Sequence, residues 1–188
     1  MKKYLILVKH SLPEVVKSLP AHQWKLSEDG RARAERLAGQ ISRFQPETVV
    51  SSNEPKAKET AEIIARIHQL KLHVVQDLHE HDRSNTPYLS QEEFQASIRE
   101  FLQKPDVLVF GRETAHQTHA RFERAVHSVL NSHANKTVVI VAHGTVISLF
   151  VSRLTGISDL YLWNELGLPS FAVIDLQSKV LIARENIV

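Results

Sequence analysis

Apolar residues follow one another along this chain in two rhythms. Short runs occur at Tyr4 to Val8, Thr48 to Val50, Val138 to Ala142 and, with one histidine inside it, Leu72 to Val75. Runs of this kind mark strands covered on both faces, because a strand with one wet face alternates apolar with polar residues. Phe171 to Leu176 and Lys179 to Ala183 read as two more strands, joined by a tight turn at Gln177-Ser178. The second rhythm is helical. Ser27 is suited to cap a helix with Glu28 and Asp29 in its first turn, and Ala34, Leu37, Ala38 and Ile41 then fall on one face. Pro55 suits the first turn of a helix carrying Ala57, Ala61, Ile64 and Ile67. Ser90 with Glu93, and Thr114 with Gln117, form capping boxes ahead of Phe94, Ile98 and Phe101 and ahead of Phe122, Val126 and Val129. A last helix over Val146 to Leu154 stops near Gly156.

Strands alternating with helices predict an α/β fold: a single domain over residues 1–188, with a largely parallel central sheet and helices on both faces. The least patterned stretch, at about 81–113, is expected to be a lid or substrate segment, because such stretches in compact domains often cover a site.

Composition narrows the chemistry. The balance of 43% apolar and 23% charged residues is that of a globular protein. There is no cysteine, which removes disulfides, thiolate nucleophiles and cysteine-held metals. A net charge of +2, with its cations scattered, argues against a nucleic-acid partner. The opening MKKYLILVKH has too short an apolar run for a signal peptide, and no stretch approaches a membrane span. A cytoplasmic protein with no membrane partner is expected. The eleven histidines are the unusual feature.

In open α/β sheets ligands bind beyond the carboxyl ends of the strands. Those ends are Lys9-His10-Ser11, Ser51-Ser52-Asn53, Leu78-His79-Glu80-His81 and His143-Gly144-Thr145. Gathered at one edge, they would bring the strand-end histidines His10 and His143 together with hydroxyls, lysine and a carboxylate. A lone strand-end histidine is usually structural; two such ends together point to chemistry.

These segments resemble the motifs of the histidine phosphatase superfamily (phosphoglycerate mutase-like). Leu7-Val8-Lys9-His10 is similar to its opening Arg-His-Gly signature. Ser51-Ser52-Asn53-Glu54-Pro55-Lys56-Ala57-Lys58-Glu59-Thr60-Ala61 is similar to its second motif, Ser-Ser, then a basic residue and Ala, then Thr-Ala. Leu78-His79-Glu80 resembles the segment carrying the family's acid, Val141-Ala142-His143-Gly144 its late His-Gly motif, and Trp24 to Gly30 the lead into its first helix.

The resemblance implies hydrolysis of phosphate monoesters in two steps. His10 attacks phosphorus and becomes phosphohistidine; Glu80 protonates the leaving alcohol and then activates water. His143, Lys9, Ser11 and Lys56 hold the phosphoryl oxygens, Lys56 from the first turn of a helix. No cofactor or metal is implied, and the partner is a phosphorylated small molecule or a phosphoprotein. The family's two arginines are Lys9 and Lys56 here, and its glycine after the nucleophile is Ser11. Lysine keeps the charge and loses the planar fork. A second reading is therefore a weakened or inactive phosphate-binding or regulatory relative. Two others are a phosphomutase, for which the chain is short, and a metal-dependent hydrolase built on His10, His79, His81 and Asp82, which lacks any HExxH spacing. Lys58 and Arg83 read as solvated surface groups, and His79 and His81 as polar loop residues.

Overall fold

The apolar runs become six strands, β1 (Tyr4–Lys9), β2 (Thr48–Ser52), β3 (Leu72–Val75), β4 (Val138–Ala142), β5 (Ser170–Asp175) and β6 (Val180–Asn186). Six helices accompany them: α1 (Glu28–Ile41), α2 (Pro55–His68), α3 (Gln91–Gln103), α4 (Ala115–Ser132), α5 (Gly144–Thr155) and α6 (Asp159–Glu165). These come from a computed structural model that describes residues 2–188.

The strands form one sheet in the order β3-β2-β4-β1-β5-β6. The pairs β2–β3, β2–β4 and β1–β4 are parallel; β1–β5 and β5–β6 are antiparallel. β1 and β4 lie at the centre and are buried along most of their length, as unbroken apolar runs require. Alternate residues feed two cores. Leu5 and Leu7 face the side packed with Phe122, Val126, Ile147 and Phe150 from α4 and α5. Ile6 and Val8 face Leu37, Ile41, Ala61 and Ile64 from α1 and α2.

Local capping holds as the sequence predicts. Ser27 accepts from Gly30 N, and both capping boxes close, Ser90 with Glu93 and Thr114 with Gln117. The last of the predicted helices is longer than expected: α5 starts at Gly144, so His143 is its N-cap residue. The β5–β6 turn is also a little longer. Lys179 lies in the left-handed region (φ 58°), while Asp175 Oδ1 accepts from Gln177 N and Ser178 N at 2.9 and 3.0 Å. The short helix α6 had no periodic signal strong enough to announce it.

The 81–113 segment contains the helix that the Ser90–Glu93 capping box predicts. It carries α3 and buries Ile98, Phe101 and Leu102 in a third apolar cluster against Leu149 of α5. No helix among the described residues is long and apolar enough to cross a membrane.

Candidate active site

All four parallel strands end at the same edge, and the strand-end residues do meet there. His10 follows β1 directly, and its backbone N–H donates to Ala142 O at 3.0 Å, which pins it beside the end of β4. His143 follows β4. The two rings are buried with centroids 5.2 Å apart, one edge-on to the other. His10 Nδ1 lies 2.8 Å from the Ser11 carbonyl oxygen. A carbonyl can only accept, so Nδ1 carries the proton and Nε2 keeps a free lone pair. Burial pushes the His10 pKa well below the usual histidine value, with the charge of Lys56 and then His143 adding to it, against a weaker opposing pull from the Ser11 carbonyl. The ring is neutral at physiological pH, as an attacking imidazole must be.

His143 is completely enclosed. Its Nε2 is 2.9 Å from Ser52 Oγ and 3.5 Å from Glu54 Oε1. Burial, followed by the Lys56 charge, lowers its pKa well below the ordinary value, with Glu80 opposing.

The two lysines are at hand, but each is already engaged. Lys9 Nζ donates to Leu166 O at 2.6 Å, and the end of its side chain runs beside Gly144, where an added Cβ would come within 3.2 Å of it. Burial lowers the Lys9 pKa to about 8, with Glu80 pulling the other way. Lys56 is buried in the first turn of α2 and donates to Ala21 O at 2.7 Å and to Glu54 Oε2 at 2.6 Å.

Glu80 reaches the start of α5. Its carboxylate accepts from Thr145 N at 3.1 Å, Val146 N at 3.3 Å and His81 N at 2.9 Å, so it takes the free amides of a helix N-terminus. Burial works to raise its pKa; the charges of Arg83 and His143 and the amides of His81 and Thr145 outweigh it, and the net shift is downward. Glu80 is therefore ionised in the resting site. To serve a departing alcohol, the Glu80 carboxylate must first take up a proton. The loop bearing it is bracketed by Arg121, whose Nη1 donates to Asp77 O and His79 O and whose Nη2 donates to Glu80 O, while Nε and Nη2 also bind Glu113.

Three residues stand differently from their sequence reading. Ser11 is fully buried; its hydroxyl donates to Gly30 O at 2.6 Å and its N–H donates to Thr60 Oγ1 at 3.0 Å. Its hydroxyl proton is thus spent on clamping the chain after His10 to α1, not on a phosphoryl oxygen. That clamp needs Gly30, where a Cβ would come 2.0 Å from Leu12 O. His81 is not a polar loop residue: it is buried against Phe101 and Phe110, with Nε2 3.1 Å from Glu113 O. This turns it away from the ligand set of a metal centre. Arg83 is not simple surface; it lies over the Phe94 ring and lines both cavities beside the site. Lys58 is exposed and only 4.0 Å from Glu62, as a surface lysine should be.

The residue that sequence reasoning missed is Glu54. It is buried, pairs with Lys56 and accepts from Glu80 N at 2.9 Å through Oε1. Its only signal was its place inside the Ser-to-Thr-Ala stretch, two residues before Lys56.

Glu54, Glu80, Arg83, His22 and His79 line a polar cavity of about 290 Å³. A second, mainly apolar cavity of about 650 Å³ adjoins it, sharing Ala21 and Arg83 and walled by Trp24, Tyr88, Phe94 and Phe110. The 81–113 segment supplies much of that wall.

The sequence profile of the histidine phosphatase superfamily (branch 1) matches residues 5–180. No curated protein matches the chain. Among solved structures it resembles phosphoserine phosphatase from Entamoeba histolytica, determined as a mutant in complex with phosphoserine, at 20% identity, TM-score 0.79, over 97% of this chain and 96% of that one. It also resembles the mycobacterial glucosyl-3-phosphoglycerate phosphatase in complex with VO3, at 22% identity, TM-score 0.74, over 92% of each chain. The α-ribazole phosphatase of Shigella flexneri is similar at 18% identity, TM-score 0.70, over 98% of this chain and 95% of that one. At these identities the structures speak for the fold.

Proposed function

The chain belongs to the histidine phosphatase superfamily, and from that premise we propose that it hydrolyses phosphate monoesters through a phosphohistidine on His10. The observation that carries this reading is the tautomer: the Ser11 carbonyl holds the proton on Nδ1, leaving Nε2 neutral and free. In the first step Nε2 attacks phosphorus, the bond to the alcohol oxygen breaks, and that oxygen leaves with a proton. Glu80 is ionised, so the proton arrives with the ester, which keeps its second proton below about pH 6. Glu80 is placed to take that proton and pass it to the departing oxygen. In the second step it accepts a proton from the attacking water, and phosphate leaves.

His143 Nε2 and the Lys56 ammonium serve the phosphoryl oxygens, and such a donor is worth roughly 10²–10³ in rate. Lys9, the residue before His10, adds a second cation. The apolar cavity beside the site is where the alcohol half would lie, so the 81–113 segment acts as the substrate segment. A phosphorylated small molecule with an apolar portion, or a phosphoprotein side chain, fits that arrangement. Turnover on generic small esters should be slow, because both cations give up the bidentate grip of arginine.

One observation favours a second reading, a phosphate-binding relative without turnover. Lys9 and Lys56 already donate to protein oxygens, Leu166 O in one case and Ala21 O and Glu54 in the other. Phosphate release across a panel of esters, with rapid-quench trapping of acid-labile phosphate and His10→Ala as control, separates the two. Phosphate release that vanishes in His10→Ala supports the enzyme. Equal inactivity of wild type and His10→Ala, with no trapped phosphohistidine, leaves the binding relative.

A further inference from the structure

The site contains its own anion. Glu54 Oε2 lies 2.6 Å from Lys56 Nζ, and Oε1 lies 3.5 Å from His143 Nε2. These are two of the groups that the phosphatase reading gives to the transferring phosphoryl group. Oε1 also accepts the Glu80 N–H at 2.9 Å. Carboxylate and phosphoryl group both present anionic oxygens to the same donors, and two anions cannot share a buried cation without strong repulsion. Resting on the phosphatase reading of Lys56 and His143, we propose that Glu54 is an internal competitor for the phosphoryl position: its carboxylate fills the anion site, and an ester enters only by displacing it.

Three further features support this. Lys56 is 6% exposed and Glu54 7%, so without Glu54 the ammonium would be an uncompensated buried charge. Glu54 stays ionised: burial works to raise its pKa, but the Lys56 charge and hydrogen bond prevail and the net shift is downward. It is also not tied to its own helix. Glu54 is the N-cap residue of α2, extended at φ −70° and ψ 136°, yet its side chain makes no capping bond to the helix. The polar cavity it lines, of about 290 Å³, offers Arg83 as a cation on the way out. Displacement of the carboxylate toward that cavity gives up its bonds to Lys56 and to Glu80 N and none to the helix it precedes.

The consequence is selectivity. Inorganic phosphate and small esters offer little beyond the phosphoryl contacts, and those contacts are already made internally. An ester with a large apolar half adds contacts in the neighbouring cavity, and only such a ligand outcompetes the carboxylate. Glu54 thus acts as a specificity-determining residue that raises the threshold for entry.

The test is a binding measurement that needs no turnover. Affinity for inorganic phosphate and for orthovanadate is measured by calorimetry at fixed ionic strength for wild type, Glu54→Gln and Glu54→Leu. Glu54→Gln keeps the shape and one acceptor for Lys56, so it guards against a variant that merely folds badly; thermal melting with and without phosphate checks both. The expected result is at least about tenfold tighter binding in Glu54→Gln and more in Glu54→Leu, with phosphate raising the melting temperature of the variants more than that of wild type. A purely structural role for Glu54 predicts weaker binding on substitution. Equal or weaker phosphate affinity in Glu54→Gln overturns the proposal, even if wild type hydrolyses esters through His10. Tighter binding without any trapped phosphohistidine in any form keeps it and ends the enzyme reading instead.

Discussion

His10 and His143 stand at the ends of β1 and β4, neighbours in the middle of the sheet, whereas Glu80, His81 and Arg83 stand on a loop beyond the edge strand β3. The first pair is held by the ladder itself: Leu5 to Lys9 pair with Val138 to Ala142 residue for residue, and the His10 N–H continues that pattern onto Ala142 O. A slip of one residue would swap the faces of one strand relative to its partner, so the register is locked by two buried cores. The rim has no ladder. Its carbonyls at Asp77, His79 and Glu80 converge on the Arg121 guanidinium, and the Glu80 carboxylate is caught by the amides of α5. His10 is thus positioned by backbone pairing, and the Glu80 loop by one side chain reaching across from α4. The two regions should fail in different ways.

The largest effect is expected at the floor. His10→Ala should lower turnover by at least about 10³-fold and abolish trapped phosphohistidine, and should soften the acid loss of stability below about pH 6.5, where the buried neutral ring carries its electrostatic cost. Residual turnover near the wild-type level would show that another group is the nucleophile.

Arg121→Ala comes next. Its side chain is 11% exposed and that of Glu113 18%, so removal strands a largely buried carboxylate and frees three loop carbonyls. A loss of about 2–4 kcal/mol in stability is expected by denaturant melting. Turnover should fall more than KM rises, because the floor stays in place while Glu80 loses its aim. Arg121→Lys should recover part of the stability and little of the turnover, since an ammonium cannot fork between carbonyls and carboxylate. Full activity in Arg121→Ala would mean that the α5 amides alone fix Glu80.

Acid separates the regions less sharply. Folding lowers the pKa of His10, His143 and His81, the last to about 4 through burial and then Arg83, against the pull of Glu80. A histidine with a depressed folded pKa binds fewer protons folded than unfolded, so stability is fully present above about pH 6.5 and lost as pH falls below it. Each group contributes about 1.4 kcal/mol per pH unit in that window. His81→Phe, which keeps the ring among Phe101 and Phe110, should remove one group's share of the slope without altering the pH dependence of turnover. An unchanged slope would mean that His81 titrates in the folded protein near its ordinary value.

The smallest effect concerns the cations. Lys9→Arg with Lys56→Arg should raise turnover a few-fold, roughly the difference between a point charge and a bidentate clamp. Lys56→Arg alone should do less while Glu54 is present, since the fork would grip that carboxylate as readily as an ester. Lower turnover in the double variant, with folding intact, would show that the pocket is shaped for lysine.

Much of this protein was legible in its sequence, for reasons of range. The capping residues Ser27, Ser90 and Thr114 act on amides three residues away, and the buried runs 4–8 and 138–142 declare their strands without reference to anything distant. His10, His143 and Glu80 follow from the same logic, because strand ends in a parallel sheet share one edge and motif order survives in the chain. Tertiary structure decided the rest. No local pattern says that the Ser11 hydroxyl is consumed by Gly30, that His81 folds inward among phenylalanines, or that Arg121 gathers three carbonyls from 41 to 44 positions away. Glu80 read as an acid from its motif; the amides of α5 and the charge of Arg83 made it a carboxylate. Glu54 is the clearest case. Two residues from Lys56 it looks like an ordinary helix-start carboxylate. Only burial, which strips both groups of water and brings His143 within 3.5 Å, turns the pair into an occupied anion site. Hydrogen-bond geometry and desolvation belong to the folded neighbourhood, and a sequence specifies that neighbourhood only through all of its residues at once.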